Sequence, residues 1–154
     1  AVSAGEPLNR EVVEQFKNNF NLTVRDGYGQ TESTLLIGFL KDTEPRPGSM
    51  GKGIPGSFVT IIDDDGNEVP PQTKGNIAVP LDLPALFKGY YKDEERTKAA
   101  AAGYYYVTGD LAHKDEDGYF WFEGRRDDII ISSGYTIGPF EVEDALTNHP
   151  AVKE

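Results

Sequence analysis

Apolar residues at helical spacing near the start of the chain predict an amphipathic helix. The stripe consists of Val12, Val13, Phe16 and Phe20. These residues share one face of a helix, and Asn9 is placed to cap its first turn. The segment LTVRD at 22–26 then predicts a short strand, and the glycine-rich segment GYGQTES at 27–33 predicts the loop that leaves it.

The rest of the chain alternates between strand-like segments and turns. Segments rich in β-branched and aromatic residues predict strands at SFVTIID (57–63), GNIAVP (75–80), YYYVTGDLA (104–112), YFWFEG (119–124) and DDIII (127–131). A Pro- and Gly-rich stretch at 41–56 predicts a long connection. Asp93 is placed to cap a helix through EERTKAAA, and Pro139 suits the first turn of a helix through FEVEDALTNH.

The charge balance narrows the classes of partner. The chain of 154 residues has 15 Lys and Arg against 26 Asp and Glu, a formal net charge of −11. This balance argues against nucleic acid and anionic membrane surfaces as partners. Cysteine is absent, so disulfides and thiolate metal sites are excluded. No apolar run is long enough to cross a bilayer, and we expect a soluble, cytoplasmic protein whose oligomeric state the sequence leaves open.

The two ends suggest a piece of a longer protein. The chain begins at Ala1 without a methionine, and a new apolar segment starts after Pro150, within the last four residues. We therefore expect an internal fragment.

The segment GYGQTES combines residue types that suit a phosphate-bearing ligand. Its glycines allow a backbone to approach a ligand closely, and Tyr28 can stack on a flat base. Thr31 and the loop amides can donate hydrogen bonds to a phosphate, and Glu32 is a hard oxygen ligand of the kind that Mg²⁺ prefers. On this stretch alone, a glycine-rich turn with solvated polar residues is an equal alternative.

Two further segments favour the ligand interpretation. YVTGDLA at 106–112 places Asp110 at a strand end, where one carboxylate can accept hydrogen bonds from both hydroxyls of a ribose. GRRDDIIISSGY at 124–135 brings Arg125, which can pair with a ribose or phosphate oxygen. Taken singly, Asp110 is more often a turn residue and Arg125 a surface cation, but their order along the chain is specific.

With these segments, and AGEPL at 4–8, the sequence resembles the adenylate-forming enzymes, which include acyl-CoA synthetases, peptide-synthetase adenylation domains and luciferases. The form SGYTIGPFEVE is most similar to the short- and medium-chain fatty acyl-CoA synthetases. The resemblance implies that a carboxylic acid and ATP, with Mg²⁺, give an acyl-adenylate and pyrophosphate. The thiol of coenzyme A then displaces AMP.

The resemblance also implies a role for each matching position. Nucleotide-binding positions are Gly5, Glu6, Pro7, Asp26, Gly27, Tyr28, Gly29, Gln30, Thr31, Asp110 and Arg125. Among them, Tyr28 would form the aromatic wall of the adenine site and Asp110 would hold the ribose. The catalytic positions would be Thr31, at the α-phosphate, and Glu32, which would bind Mg²⁺.

Positions near the end of the chain match the part of the family that moves. Asp127 matches the hinge between the large and small domains, and the coenzyme A channel would include Ser133, Gly134 and Tyr135. The family's upstream phosphate loop has no counterpart in this chain, and Lys153 lies too soon after the hinge to be the family's C-terminal lysine. At Thr136 several acyl-CoA synthetases have an arginine that contacts ligand phosphate, so the sequence departs from the pattern there.

The expected fold class is α/β plus β. Residues 1–126 would be the C-terminal part of a large AMP-binding domain, with an α/β subdomain to about 45 and a β-rich, barrel-like subdomain from about 46. Residues 127–154 would be the hinge and the truncated start of a small α+β domain, and the fragment alone would be inactive. A stand-alone nucleotide-binding or regulatory module and a β-rich interaction domain without catalysis are the alternatives.

Overall fold

The computed structural model of the protein describes residues 1–5, 8, 10–128, 130–132, 135–137, 142–143, 145–146, 149 and 151–152. Its strands are β1 (Val2–Ala4), β2 (Arg25–Gln30), β3 (Thr34–Gly38), β4 (Gly51–Gly53), β5 (Thr60–Ile62), β6 (Gly75–Pro80), β7 (Ala101–Ala102), β8 (Tyr105–Lys114), β9 (Tyr119–Arg125), β10 (Ile130–Ser132) and β11 (Tyr135–Ile137). Among the described residues, the continuous helices are α1 (Arg10–Phe20) and α2 (Glu94–Ala99), a 3-10 turn lies at Arg126–Asp128, and residues 142–143 and 145–146 are also helical. The architecture of the described part is a mixed sheet with few helices.

One nine-stranded sheet contains most of the described strands, in the order β1-β2-β3-β4-β9-β8-β6-β5, with β7 paired to β8. β1 and β2 are parallel, and α1 is the crossover between them. The other pairs in this sheet are antiparallel, and β10 and β11 form a separate antiparallel pair. The sheet therefore joins a parallel edge to an antiparallel body.

The hydrophobic core lies along the middle strands of the sheet. Its buried members include Leu36, Ile37, Met50, Ile61, Ile77, Val79, Tyr106 and Phe120. Burying each large aliphatic side chain stabilises the fold by roughly 1.5–3 kcal/mol. Along β8 the buried residues alternate from Tyr106 through Thr108 to Asp110, because successive side chains of a strand point to opposite faces. The polar Asp110 therefore shares the inward face of β8.

Several predicted elements are confirmed. GNIAVP forms β6, and the long hairpin at 104–124 forms β8 and β9 around an Asp-Gly turn. The α2 helix begins after Asp93, whose carboxylate accepts a hydrogen bond from the backbone N–H of Arg96 at 3.0 Å. This contact is the predicted N-cap. The helix at 10–20 is also confirmed, while its predicted cap Asn9 lies outside the described residues.

Other predictions need correction. The strand predicted at 22–26 begins only at Arg25 and runs on through the segment GYGQ, which we predicted as loop. The stretch at 41–56, which we predicted as a connection, contains the short strand β4. The strand predicted at 57–63 is limited to 60–62. In β2 and β4 the glycines indicate a loop locally, whereas pairing with neighbouring strands decides the conformation.

The ends of the chain also differ from the expectation. In the α1 stripe only Val13 is buried, and Phe20 is 65% exposed. The predicted strand DDIII opens with the 3-10 turn and becomes strand at Ile130. Within the described part of the predicted last helix, the apolar side chains of Val142 and Leu146 are exposed. No helix of the described residues is long and apolar enough to span a membrane.

Candidate functional site

A cleft of about 380 Å³ opens beside β2, and we call it the β2 cleft. Of the predicted site residues, its lining includes Gly5, Asp26, Gly27, Tyr28, Gly29, Gln30, Asp110 and Arg125. Four strands bring them together: β1, which ends just before Gly5, β2 from position 26 onwards, and the paired strands β8 and β9. Residues far apart in the sequence thus form one surface.

The parallel pairing of β1 with β2 brings the first predicted segment to the second. Ala4 is the register partner of Gly27, so Gly5 leaves β1 beside the glycines of β2. Gly5 has φ of +107°, a conformation that glycine adopts without strain. Glu6 and Pro7, the remaining predicted residues of AGEPL, lie outside the described residues.

Gly29 is required by the tight hairpin of β2 and β3. A Cβ atom built on Gly29 would lie 1.9 Å from the backbone oxygen of Thr34. The pairing also has a register shift between Tyr28 and Gly29, which bends the strand. The glycine therefore serves the close approach of two backbones, in addition to lining the cleft.

Asp110 is a nearly buried carboxylate at the wall of the β2 cleft. Its side chain is only 7% exposed, and its Oδ2 atom accepts a hydrogen bond from the Tyr28 hydroxyl at 2.6 Å and another from Gln30 Nε2 at 2.8 Å. Its Oδ1 atom lies 3.5 Å from Nη1 of the half-exposed Arg125. One carboxylate oxygen is thus held by two neutral donors, and the other is turned towards a cation.

The donors that hold Asp110 are themselves fixed. Gln30 Nε2 also donates to the backbone oxygen of Thr108 at 3.0 Å, and its Oε1 accepts from the Tyr106 hydroxyl at 3.1 Å. Burial, reinforced by the charge of Asp110, raises the pKa of Tyr28. Burial also raises the pKa of Tyr106. Both phenols therefore remain protonated donors at neutral pH.

A second carboxylate, Asp26, lines the same cleft. Its Oδ1 accepts a hydrogen bond from the backbone N–H of Gly27 at 2.8 Å. Burial raises the pKa of this carboxyl group, although that hydrogen bond acts in the opposite direction.

Thr31 and Glu32 lie on the turn after β2 and are not part of the cleft lining. Thr31 is exposed, whereas Glu32 is half-buried and its Oε1 accepts a hydrogen bond from the Tyr90 hydroxyl at 2.9 Å. In the part of the chain that the structure describes, no three acidic or histidine residues cluster as a metal site. Glu32 can thus supply one carboxylate, which suits Mg²⁺, since this ion commonly takes one or two carboxylates together with water and phosphate oxygens.

The predicted hinge and coenzyme A positions are only partly described. Asp127 lies exposed in the 3-10 turn, directly after Arg126, which forms an ion pair with Asp64 at 3.0 Å. Ser133 and Gly134 lie outside the described residues, and Tyr135 begins β11, opposite Ser132.

Sequence reasoning missed the apolar floor of the cleft. It includes Met50, from the stretch predicted as a connection, and Phe122, from the middle of β9. The N–H of Met50 donates to the carbonyl of Phe120 at 2.9 Å, which ties this stretch to β9. Tyr90 and Tyr106 were also missed, because a tyrosine in an aromatic-rich segment carries no local signal of its distant partner.

The comparison with protein families identifies the family of the chain. The model of the family described as AMP-binding enzyme matches residues 1–91, which is more than half of the chain. The chain belongs to the AMP-binding enzyme family. The match includes every β2 residue of the cleft, whereas Asp110, Arg125 and Asp127 lie beyond it.

Relatives of this AMP-binding chain have names that agree with each other. It is 67% identical over its whole length to an uncharacterized acyl-CoA ligase, YtcI, of Bacillus subtilis (strain 168), and covers 29% of that protein. It is 50% identical to the mitochondrial acyl-coenzyme A synthetase ACSM3 of Rattus norvegicus, over 99% of this chain and 27% of the relative. The chain therefore spans less than a third of the length of these curated relatives.

Solved structures of similar enzymes share the fold of the AMP-binding chain. The crystal structure of the anthranilate CoA ligase AuaEII in complex with anthranoyl-AMP matches 99% of this chain and 29% of its own, with a TM-score of 0.88 and 34% identity. The described sheet is thus the architecture of this family, although the division into subdomains stays a prediction.

Proposed function

We propose that this chain is part of an ATP-dependent acyl-CoA ligase and that the β2 cleft binds the adenosine part of the nucleotide. The observation that carries the proposal is Asp110, a buried carboxylate held at the cleft wall by Tyr28 and Gln30. Family membership supports it, as do relatives named acyl-CoA ligase and acyl-coenzyme A synthetase and a similar structure that holds an acyl-AMP. As an acid-thiol ligase, the protein would carry out two coupled reactions.

In the first reaction, a carboxylate oxygen of the acid attacks the α-phosphorus of ATP, and pyrophosphate leaves. In the second, the sulfur of coenzyme A attacks the acyl carbonyl carbon, and AMP leaves. Both reactions need the nucleotide held at one place. A charge-assisted hydrogen bond from a ribose hydroxyl to Oδ1 of Asp110 would do so, since Oδ2 is already engaged by Tyr28 and Gln30.

Other residues would orient the reacting groups. The exposed Thr31 hydroxyl would donate to the α-phosphate, and Arg125, beside Asp110, would bind a ribose or phosphate oxygen. The ring of Tyr28 would form the wall of the adenine site, next to the backbone of Gly27 and Gly29. Glu32 would bind Mg²⁺, which supplies positive charge to the phosphates.

The finer parts of the proposal concern substrate, domains and location. We propose a short- or medium-chain carboxylic acid as substrate, on the form of the segment SGYTIGPFEVE. We also propose that residues 1–126 belong to the large domain, that Asp127 is the hinge, and that Ser133, Gly134 and Tyr135 contact coenzyme A. We propose a cytoplasmic location separately, because the relative from rat is named mitochondrial. Cell fractionation tests this proposal.

Pyrophosphate exchange tests the activity directly. The whole protein, given ATP, Mg²⁺ and a series of carboxylic acids, should exchange labelled pyrophosphate into ATP, with the highest rate for short and medium chains. The 154-residue chain alone should not, because the phosphate loop and C-terminal lysine of the family have no counterpart in it. A whole protein that binds AMP but exchanges pyrophosphate with no acid would instead support a nucleotide-binding module without catalysis.

A further inference from the structure

A loop from a distant part of the chain contacts the turn that carries Glu32. The backbone carbonyl of Glu32 accepts a hydrogen bond from the N–H of Phe87 at 2.7 Å. Its side-chain Oε1 accepts a second bond from the hydroxyl of Tyr90 at 2.9 Å. Both the backbone and the carboxylate of Glu32 are therefore fixed by the segment 87–90, which lies more than 50 residues further along the chain.

Tyr90 is itself held in one orientation by its surroundings. Its backbone N–H donates to the hydroxyl of Thr97 in α2 at 2.9 Å. Its ring packs edge-on against Phe87, with ring centres 4.9 Å apart, and the guanidinium of Arg96 lies 4.0 Å from the ring centre on its face. A ring fixed by two side chains and a backbone contact presents its hydroxyl at a defined place.

The contact leaves the two oxygens of Glu32 in different states. Oε1 accepts from Tyr90, whereas no hydrogen bond from the described residues reaches Oε2. The hydroxyl of Tyr90 is a neutral donor at physiological pH, because the ordinary pKa of a tyrosine is about 10. A neutral donor fixes a carboxylate without cancelling its negative charge.

We propose that Tyr90 is a positioning residue that holds Glu32 through Oε1 and thereby presents Oε2 to the Mg²⁺ of the bound nucleotide. The inference rests on the proposed function, because it takes Glu32 as the metal ligand. Hydrogen bonds to a ligating carboxylate fix its orientation, and their loss commonly weakens metal binding about 10- to 100-fold. Without the Tyr90 hydroxyl, the Glu32 side chain keeps its rotamer freedom until the metal binds. Metal binding must then overcome this loss of entropy, so the metal complex becomes weaker.

Two neighbouring tyrosines provide a matched pair of variants. Tyr90→Phe removes only the hydroxyl and keeps the ring that packs against Phe87 and Arg96. Tyr91→Phe makes the same chemical change one residue later, on a side chain that is 88% exposed. Any general effect of losing a phenol in this segment should appear in both variants, and an effect on Glu32 only in the first.

The experiment measures metal binding rather than turnover. The whole protein is saturated with a non-hydrolysable ATP analogue, Mn²⁺ is titrated in place of Mg²⁺, and free Mn²⁺ is followed by electron paramagnetic resonance. Tyr90→Phe should raise the dissociation constant of Mn²⁺ about 10-fold or more. Its affinity for AMP, which needs no metal, should stay at the wild-type value, and Tyr91→Phe should match the wild type in both measurements.

A double-mutant cycle tests the route through Glu32. In a Glu32→Gln background, Tyr90→Phe should cause no further loss of Mn²⁺ affinity, because the carboxylate that Tyr90 positions is gone. If Tyr90→Phe bound Mn²⁺ as tightly as the wild type, the inference about Tyr90 would be overturned, but not the proposed function. The same holds if Tyr90→Phe lost as much affinity for AMP as for Mn²⁺, because such a loss indicates a general structural role. A wild-type protein that binds neither the nucleotide nor Mn²⁺ would overturn the proposed function as well.

Discussion

Replacing Asp110 by alanine is the strongest perturbation of the β2 cleft. The change removes the oxygen that accepts from Tyr28 at 2.6 Å and Gln30 at 2.8 Å, and the oxygen that lies 3.5 Å from Arg125. We expect two separate effects. Binding of AMP and ATP should weaken, and the free energy of unfolding should fall.

The size of each effect follows from the contacts. Loss of charge-assisted hydrogen bonds to a ribose should cost roughly 1.5–3 kcal/mol, which raises the dissociation constants of AMP and ATP roughly 10- to 140-fold. The two nucleotides should be affected alike, because they share the ribose. The Tyr28 hydroxyl loses its acceptor in a largely enclosed place, which should lower the free energy of unfolding by about 1–3 kcal/mol.

Asp82 provides a control of the same chemical type. Its Oδ1 accepts from the hydroxyl of Tyr104 at 2.6 Å, the distance found between Tyr28 and Asp110, but it lines a different pocket and is exposed. Asp82→Ala should leave both nucleotide affinities unchanged. Isothermal titration calorimetry on the whole protein measures the affinities, and urea denaturation measures the stability. A folded Asp110→Ala protein that binds AMP like the wild type would refute the ribose assignment.

Three further predictions concern β2, the β8–β9 turn and the hinge. Gly29→Ala should lower the free energy of unfolding by about 3 kcal/mol, because its Cβ would lie 1.9 Å from a backbone oxygen. In the same urea titration Gly27→Ala should cost about 1 kcal/mol, because its tightest contact, at 3.1 Å, is with the end of the Leu35 side chain. Burial acts to raise the pKa of Asp115, but hydrogen bonds from Tyr119 and Trp121 and the charge of Arg46 outweigh it and lower the pKa below its ordinary 3.8. Because the pKa of Asp115 is lower in the folded protein, its ionised carboxylate stabilises the fold at pH values above 3.8, and this stabilisation disappears as the pH falls below that value. The Asp115→Asn protein should therefore have a lower free energy of unfolding than the wild type at pH 7 and an equal one in strong acid. A difference in stability that does not change with pH would contradict this prediction. Asp127→Pro should keep pyrophosphate exchange but lose most thioester formation, because proline forces Arg126 out of its helical conformation and away from Asp64, which disturbs the hinge. Asp127→Ala, the control, should keep both reactions. Equal loss of both reactions in Asp127→Pro would argue against a hinge.

The sequence by itself determined the elements whose causes are local. The hairpin of β8 and β9 follows from alternating residues around an Asp-Gly turn, and α2 follows from the cap at Asp93. The motifs GYGQTES and YVTGDLA predicted Tyr28 and Asp110 as site residues, and both residues line the β2 cleft. Both elements depend mainly on contacts between residues close together in the sequence.

The tertiary structure alone decided how these elements meet. β2 contains two glycines and reads as loop, but it is a strand because β1 and β3 pair with it on either side. The bonds from Tyr28 to Asp110 and from Tyr90 to Glu32 join residues 82 and 58 positions apart. Neither partner carries a pattern that names the other, since any tyrosine can donate to any nearby carboxylate. Strand order and register choose the pair, and they depend on how the whole sheet buries its apolar face.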